Sequence, residues 1–249
     1  MQYGICPLSV IPLRISPEEA SEMTSQVLFG EHFKILESRK YWSKIRVSSD
    51  KCEGWVPNNQ VHFITKEEFI LIEEKQPIFA TDLLSFAGHP NGTPISIILG
   101  SSIHLTDILN VTVEGNKTEG KQTKEHIINT AINYLNAPEL KGGKTPFGID
   151  ASGFAQMVYK INGYNLLRTA QEQARQGEAL SFIEECEPGD LAFFDDSYGH
   201  INHVGIVMKN NFIIHVNGMV RIDRIDHTGI FNYDLRNYSH QLRVLKRIL

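Results

Sequence analysis

Thr145-Pro146-Phe147-Gly148-Ile149-Asp150-Ala151-Ser152-Gly153-Phe154, continuing into Ala155-Gln156-Met157-Val158-Tyr159, is the stretch from which the rest of the chain is read. Pro146 and Gly148 mark a loop, and Asp150 or Ser152 is placed to cap the first turn of a helix. Phe154, Met157, Val158 and Ile161 then recur at helical spacing until Gly163 ends the run. A side chain at position 151 sits at the helix N-terminus, where unpaired N–H groups and the helix dipole favour an anion. A cysteine there would have a lowered pKa and a raised thiolate fraction. The residue present is alanine.

Working outward, Asp150-Ala151-Ser152-Gly153 resembles the Asp-Cys-Ser-Gly nucleophile turn of NlpC-type cell-wall cysteine peptidases, with the cysteine missing. Further motifs follow in that family's order. Arg168-Thr169-Ala170-Gln171-Glu172-Gln173 resembles its Arg-Asp-x-x-x-Gln segment, and Pro188-Gly189-Asp190-Leu191-Ala192-Phe193-Phe194 resembles its Pro-Gly-Asp-Leu-x-Phe-Phe strand. His203-Val204-Gly205-Ile206 resembles the strand carrying the base, and Phe212-Ile213-Ile214-His215 the strand carrying the orienting histidine. The resemblance spans roughly residues 124–249, and the amino-terminal half resembles the SH3-like modules of the family's cytoplasmic members.

The composition agrees with a folded chain of one large or two to three small domains: 249 residues, 41% hydrophobic and 21% charged. A net charge of −5 gives no reason to expect nucleic acid or an anionic membrane as partner. Three cysteines, Cys6, Cys52 and Cys186, are odd in number and unpatterned, which suits a reducing compartment. The first residues lack the basic start and apolar core of a signal peptide, and no apolar run is long enough to span a bilayer. The expected location is cytoplasmic.

In chain order, residues 1–66 read as an SH3-like barrel of short alternating strands, with Gly54-Trp55-Val56 as its closing strand. Trp42 and Trp55 are expected in its core or groove wall, and residues 17–25 carry helical propensity. The charged run 67–77 reads as a solvated connector, and 78–120 as a second, degenerate SH3-like module. Residues 122–249 form the third domain. Thr123 caps a helix with Ile127, Ile128, Ala131, Ile132 and Leu135 on one stripe. After the nucleophile-turn helix, Thr169-x-x-Glu172 is a capping box for a short third helix. Strands are expected at 191–194, 203–208, 212–216, 220–225 and 243–249. The fold class is α+β: a papain-like NlpC-type domain, helices packed on an antiparallel sheet, preceded by one or two small all-β barrels.

The chemistry the resemblance implies is acyl transfer. A thiolate at position 151 attacks an amide carbon, His203 acts as base and then acid, and His215 orients the imidazole. Ser152 is a poor substitute nucleophile, because one residue along a helix turns the side chain by about 100°. Cys186 lies among carboxylates and reads as a bystander. No cofactor and no metal are expected. A zinc set of His200, His203 and His215 is the weaker alternative, resting on an undistinctive spacing.

The resemblance also implies a cleft walled by the SH3-like modules that takes a peptide with a free N-terminus. Its substrate-binding positions fall on Glu22, Cys52, Lys141, Asp150, Ser152, Arg168 and Thr169, with Asp150 and Glu22 receiving the amine. Several of these depart from the family pattern. Cys52 stands for a tyrosine, Thr169 for an aspartate and Leu167 for a proline, and Glu139-Leu140-Lys141-Gly142-Gly143 replaces Tyr-x-Trp-Gly-Gly. Departures at several places fit a repurposed site. Two functions stay open: a non-catalytic relative binding a muropeptide-like ligand or a protein partner, and a γ-D-glutamyl–diamino-acid peptidase whose cysteine has been replaced.

Overall fold

The computed structural model describes residues 2–104 and 106–249. The chain divides into two units, one comprising residues up to Lys121 together with Lys141–Pro146, the other Gln122–Leu140 together with Phe147–Leu249.

The first unit opens with seven strands: β1 (Gln2–Ile5), β2 (Val10–Arg14), β3 (Met23–Leu28), β4 (His32–Ser38), β5 (Trp42–Val47), β6 (Glu53–Pro57) and β7 (His62–Ile64). They pair in the order β3-β2-β6-β5-β4-β1-β7. Alternate residues point inward, so Ile11, Leu13, Val27, Phe33, Ile35, Ile45, Val47 and Val56 make one apolar cluster. Gly54 lets β6 lie close to β2, since a Cβ there would stand 2.8 Å from the Arg14 carbonyl oxygen. Trp55 is buried, with the Arg39 guanidinium 4.4 Å above its ring. Trp42 is half-buried. No helix forms at 17–25. The Ser21 hydroxyl accepts from the Ser16 N–H and meets the Ser16 hydroxyl at 2.8 Å, a local network that competes with helix formation.

Residues 67–77 correct the reading of a solvated connector. Helix α1 (Lys66–Glu74) occupies this stretch, closed at its start by a Thr65–Glu68 capping box. Its two buried residues, Phe69 and Ile72, lie one turn apart and are enough to dock it. Beyond it come β8 (Ile78–Ala80), β9 (Leu84–Gly88), β10 (Pro94–Ile98), α2 (Thr106–Leu109), β11 (Thr112–Val113) and β12 (Lys117–Glu119), pairing as β10-β9-β11 and β12-β8. A single apolar cluster joins Tyr3, Ile5, Phe29 and Ile64 of the first barrel to Phe69, Ile72, Ala80, Ala87, Ile97, Leu109 and Val111. The segments 1–66 and 78–120 therefore share a core, with α1 wedged into it.

The same unit captures the stretch just before the nucleophile turn. Gly142, at φ +78°, lies so close to β3 that a Cβ would stand 2.5 Å from the Met23 carbonyl oxygen. In β13 (Lys144–Thr145) the Lys144 N–H donates to Gln26 Oε1 at 2.7 Å. Its ammonium pairs with the Glu31 carboxylate at 3.3 Å, both side chains 3% exposed or less.

The second unit contains α3 (Lys124–Ile132), β14 (Gly148–Ile149), α4 (Ala151–Ile161), α5 (Ala170–Gln173) and β15 (Glu178–Leu180). Six longer strands follow: β16 (Leu191–Asp195), β17 (Ile201–Met208), β18 (Phe212–Asn217), β19 (Met219–Ile225), β20 (Gly229–Asn232) and β21 (Asn237–Arg247). The sheet order is β15-β21-β16-β17-β18-β19-β20, and β20 also pairs with β21. The expected antiparallel sheet thus closes on itself. Closure depends on β21, whose first half pairs with β20 and whose second half pairs with β16, with irregularities at Ile230/Phe231 and Phe193/Phe194.

Each of the six closing strands supplies the inner face, with Ala192, Phe194, Val207, Ile213, Ile225, Ile230 and Leu245 in contact. The outer face is buried as well: α4 packs on β17 and β18, and every residue of α4 from Gly153 to Ile161 is buried. On α3 the buried positions are Ile127 and Ala131; Ile132 and Leu135, expected on the stripe, are exposed. Tyr134, one residue earlier than Leu135, goes into the core in its place.

Candidate active site

The head of α4 is built by Asp150. Its extended backbone (φ −96°, ψ 168°) ends the preceding strand, and its carboxylate accepts from the Gly153 N–H at 2.6 Å. The Ser152 hydroxyl donates to the same oxygen at 3.1 Å. Arg168 closes the group bidentately, Nη2 to Oδ2 at 2.7 Å and Nη1 to Oδ1 at 3.0 Å, and Nη1 also reaches the Ser152 hydroxyl at 3.0 Å. Gln173, fully buried, donates from Nε2 to the carbonyls of Ser152 and Leu167. Thr169 is spent on the start of α5, where it forms the expected capping box with Glu172. The methyl of Ala151 opens the helix that this network holds.

The histidines lie on the inner face of the closed sheet. Gly205 of β17 stands opposite His215 of β18. A Cβ at Gly205 would come within 3.0 Å of the His215 Cβ, so glycine there leaves the space beside the imidazole. His203, two residues along β17, approaches diagonally, and its Nε2 lies 3.0 Å from His215 Nδ1. The next step is diagonal again: His215 Nε2 lies 3.0 Å from Asp223 Oδ2 on β19. Arg221 donates to both oxygens of Asp223, from Nε at 2.7 Å and from Nη2 at 3.0 Å, and to Asp234 at 2.8 Å.

Donor and acceptor logic fixes the protons along this relay. Burial works to raise the Asp223 carboxyl, but the hydrogen bonds from His215 and Arg221 outweigh it and hold the group below the usual carboxylate range. An ionised carboxylate only accepts, so His215 carries a proton on Nε2, and in that tautomer its Nδ1 is bare. Nδ1 then accepts from His203 Nε2–H. Burial, with His240 and His215 nearby, pulls the His203 pKa well below 6.5, so this ring is neutral at pH 7. Its Nδ1 is thereby left as a lone-pair base.

His240 of β21 completes the cluster. Its ring stacks on that of His203 with centroids 3.9 Å apart and planes 23° from parallel, and its pKa is drawn down to about 4, chiefly by burial. One nitrogen from each of His203, His215 and His240 lies within 4.8 Å of the others. The histidine set anticipated from spacing is corrected here: His200 is 71% exposed and sits by Asp196 at 3.6 Å. Asp223, Arg221 and His240 were missed. The alternation of β19 and β21 marks which residues share a face, but nothing in the sequence says that the sheet closes and makes that face an interior.

The remaining expected site residues lie in the first unit. Glu22 forms an ion pair with Lys141, the two side chains 49% and 83% exposed. Cys52 is half-buried against the apolar cluster of the first barrel, its N–H held by Asp50. Among the described residues none of the three cysteines forms a disulfide, and burial with Asp190 nearby pushes Cys186 up to about 11, so it is not an activated nucleophile. No helix among the described residues is long and apolar enough to cross a membrane.

Helix α4, headed by Ala151, packs on the strands β17 and β18 that carry His203 and His215, the helix-on-sheet layout of the expected papain-like fold. Residues 140–237 match the NlpC/P60 family, and residues 13–61 match the bacterial dipeptidyl-peptidase SH3 domain. The chain therefore carries an NlpC/P60 domain preceded by a bacterial SH3-like domain. It is 28% identical over 217 residues to the γ-D-glutamyl-L-lysine dipeptidyl-peptidase of Bacillus subtilis, covering 77% of this chain and 71% of that protein. Dipeptidyl-peptidase 6 of Lysinibacillus sphaericus is 23% identical over 82% of this chain and 83% of its own length. Among solved structures, an NlpC/P60 family protein from Bacillus cereus superposes with a TM-score of 0.82 at 18% identity, covering 99% of both chains, a likeness of fold.

Proposed function

We propose that this chain is a relative of the γ-D-glutamyl dipeptidyl-peptidases that binds a muropeptide-like peptide with a free N-terminus and does not cleave it. The observation that carries this reading is Ala151 at the head of α4: a methyl group has no lone pair with which to attack a carbonyl. In the same unit the relay holds His203 neutral, and Arg168 pairs with Asp150 at the helix end. Three cysteines outside any disulfide support a reducing, cytoplasmic setting.

Recognition of an ammonium falls to Asp150 in this reading. Four donors already address its oxygens, about the full capacity of a carboxylate. The Ser152 hydroxyl makes the longest of these contacts, so its rotation frees a lone pair for the ligand. Glu22, a second candidate, gives up an exposed pair with Lys141, which costs little. Calorimetry tests the reading. L-Ala-γ-D-Glu-L-Lys binds without being hydrolysed, and its N-acetyl form binds at least roughly tenfold more weakly, a modest share of what a buried charge contact is worth. Equal binding of the two forms, or none of either, overturns it.

A second reading rests on the completeness of the relay. If position 151 alone has changed, a cysteine there restores a γ-D-glutamyl–diamino-acid peptidase: the thiolate attacks, His203 protonates the leaving amine, and His215 with Asp223 holds the imidazole.

A further inference from the structure

We propose that His203, His215 and His240 form a binding site for a borderline divalent cation of the zinc type, inside the closed sheet. The three imidazoles come from β17, β18 and β21, and each offers a nitrogen within 4.8 Å of the other two. Tetrahedral zinc with Zn–N bonds of about 2.0–2.1 Å holds its nitrogens about 3.3 Å apart. The His203 Nε2–His215 Nδ1 pair, at 3.0 Å, is within a few tenths of an ångström of that separation already.

The surroundings of His215 suit a ligand. Its far nitrogen is fixed by Asp223, which Arg221 fixes in turn, the carboxylate–histidine support that orients imidazoles at zinc. His240 is the adjustable member. It is half-buried where the other two are buried, its Nδ1 lies 2.9 Å from the Ser239 hydroxyl, and one of its nitrogens already lies within 4.8 Å of those of His203 and His215. Phe194, edge-on to His240 and tilted against His203, lines the apolar side.

Binding rearranges protons without requiring their release. The cation takes the place of the hydrogen between His203 Nε2 and His215 Nδ1, and that hydrogen moves to His203 Nδ1 as the ring changes tautomer. The nitrogen that serves as base in the preceding reading is then protonated, so cation and acyl transfer exclude one another. The cation site itself does not depend on that reading.

The test uses the full chain free of any histidine tag. Titration with zinc, followed by calorimetry, gives one ion per chain, and cobalt in its place gives the visible absorption of a four-coordinate nitrogen site. His240→Ala, at a half-buried position, abolishes or strongly weakens binding, and Asp223→Asn weakens it by roughly 10–100-fold. His200→Ala leaves it unchanged. Absence of zinc binding overturns the proposal, as does binding that His240→Ala leaves intact while His200→Ala removes it. Circular dichroism of each variant confirms that the fold is retained, and for a variant that unfolds, loss of the wild-type His215 imidazole nitrogen shift on zinc addition, read by NMR, gives the same decision.

Discussion

His203 Nε2 and His215 Nδ1 face each other at 3.0 Å across adjacent strands, and this one contact decides which nitrogen of His203 is left as a base. Because Asp223 sets the proton on His215, the tautomer of His203 is determined two strands away.

Asp223→Asn tests that dependence. An amide presents either a donor or an acceptor to His215, so the proton order is no longer enforced. Nitrogen-15 NMR of the native chain should show a bare Nδ1 and a protonated Nε2 on His203, and the variant a mixture. A native spectrum with the proton on Nδ1 would refute the assignment.

Ala151→Cys separates the loss of one atom from a wider change of the site. The helix end and His203 both survive the substitution, so the new thiol should react with iodoacetamide at about pH 6, below the ordinary thiol value of about 8.5. Cys186, pushed up to about 11, is the internal control and should stay unmodified. In a repurposed pocket the unalkylated Ala151→Cys variant still does not cleave L-Ala-γ-D-Glu-L-Lys, since misplacement of the carbonyl by about 1 Å costs some 100-fold. Robust hydrolysis favours the second reading above.

Lys144→Met should destabilise the first unit by about 3–5 kcal/mol, because it leaves the Glu31 carboxylate buried without its cation. Adding Glu31→Gln should recover part of the loss. Both tryptophans, Trp42 and Trp55, lie in this unit, so their fluorescence during urea unfolding reports on it alone. An unchanged midpoint would mean that water reaches the pair.

Acid should loosen the second unit before the pH reaches the carboxylate range. His203 and His240 have folded pKa values below the ordinary 6.5, mainly through burial, the latter about 4. Below 6.5 the unfolded chain therefore binds more protons than the folded one, and stability falls as pH falls through that window. The contribution is complete above 6.5. Amide exchange within α4, followed from pH 7 downward, should accelerate beyond its intrinsic pH dependence, and less so in His240→Ala. Greater protection at lower pH would contradict the burial of neutral rings.

How much of this was legible in the sequence varies with the physics involved. The helix at 151–161, the cap at Asp150, the box at Thr169 and the strands bearing His203 and His215 all rest on local signals, and each appears where it was read. Helix α1 was lost because a charged run holding only Phe69 and Ile72 looks solvated until a neighbouring core is there to receive them. Sheet closure was invisible for a related reason. It depends on β21 pairing two ways along its length, a non-local fact, and without it Asp223 and His240 are merely polar residues on strands. The surroundings of Cys52 and Lys141, an apolar core and an ion pair with Glu22, needed coordinates.

The relay's hydrogen bonds run among His203, His215, Asp223 and Arg221, and the helix end is held through Asp150, Ser152, Arg168 and Gln173. Neither set uses the side chain of residue 151. Folding is therefore blind to what stands there, and alanine is among the residues a helix accommodates most readily. Selection for a stable, abundant protein cannot guard the nucleophile or oppose its return. A cysteine at position 151 would leave both sets of hydrogen bonds as they are.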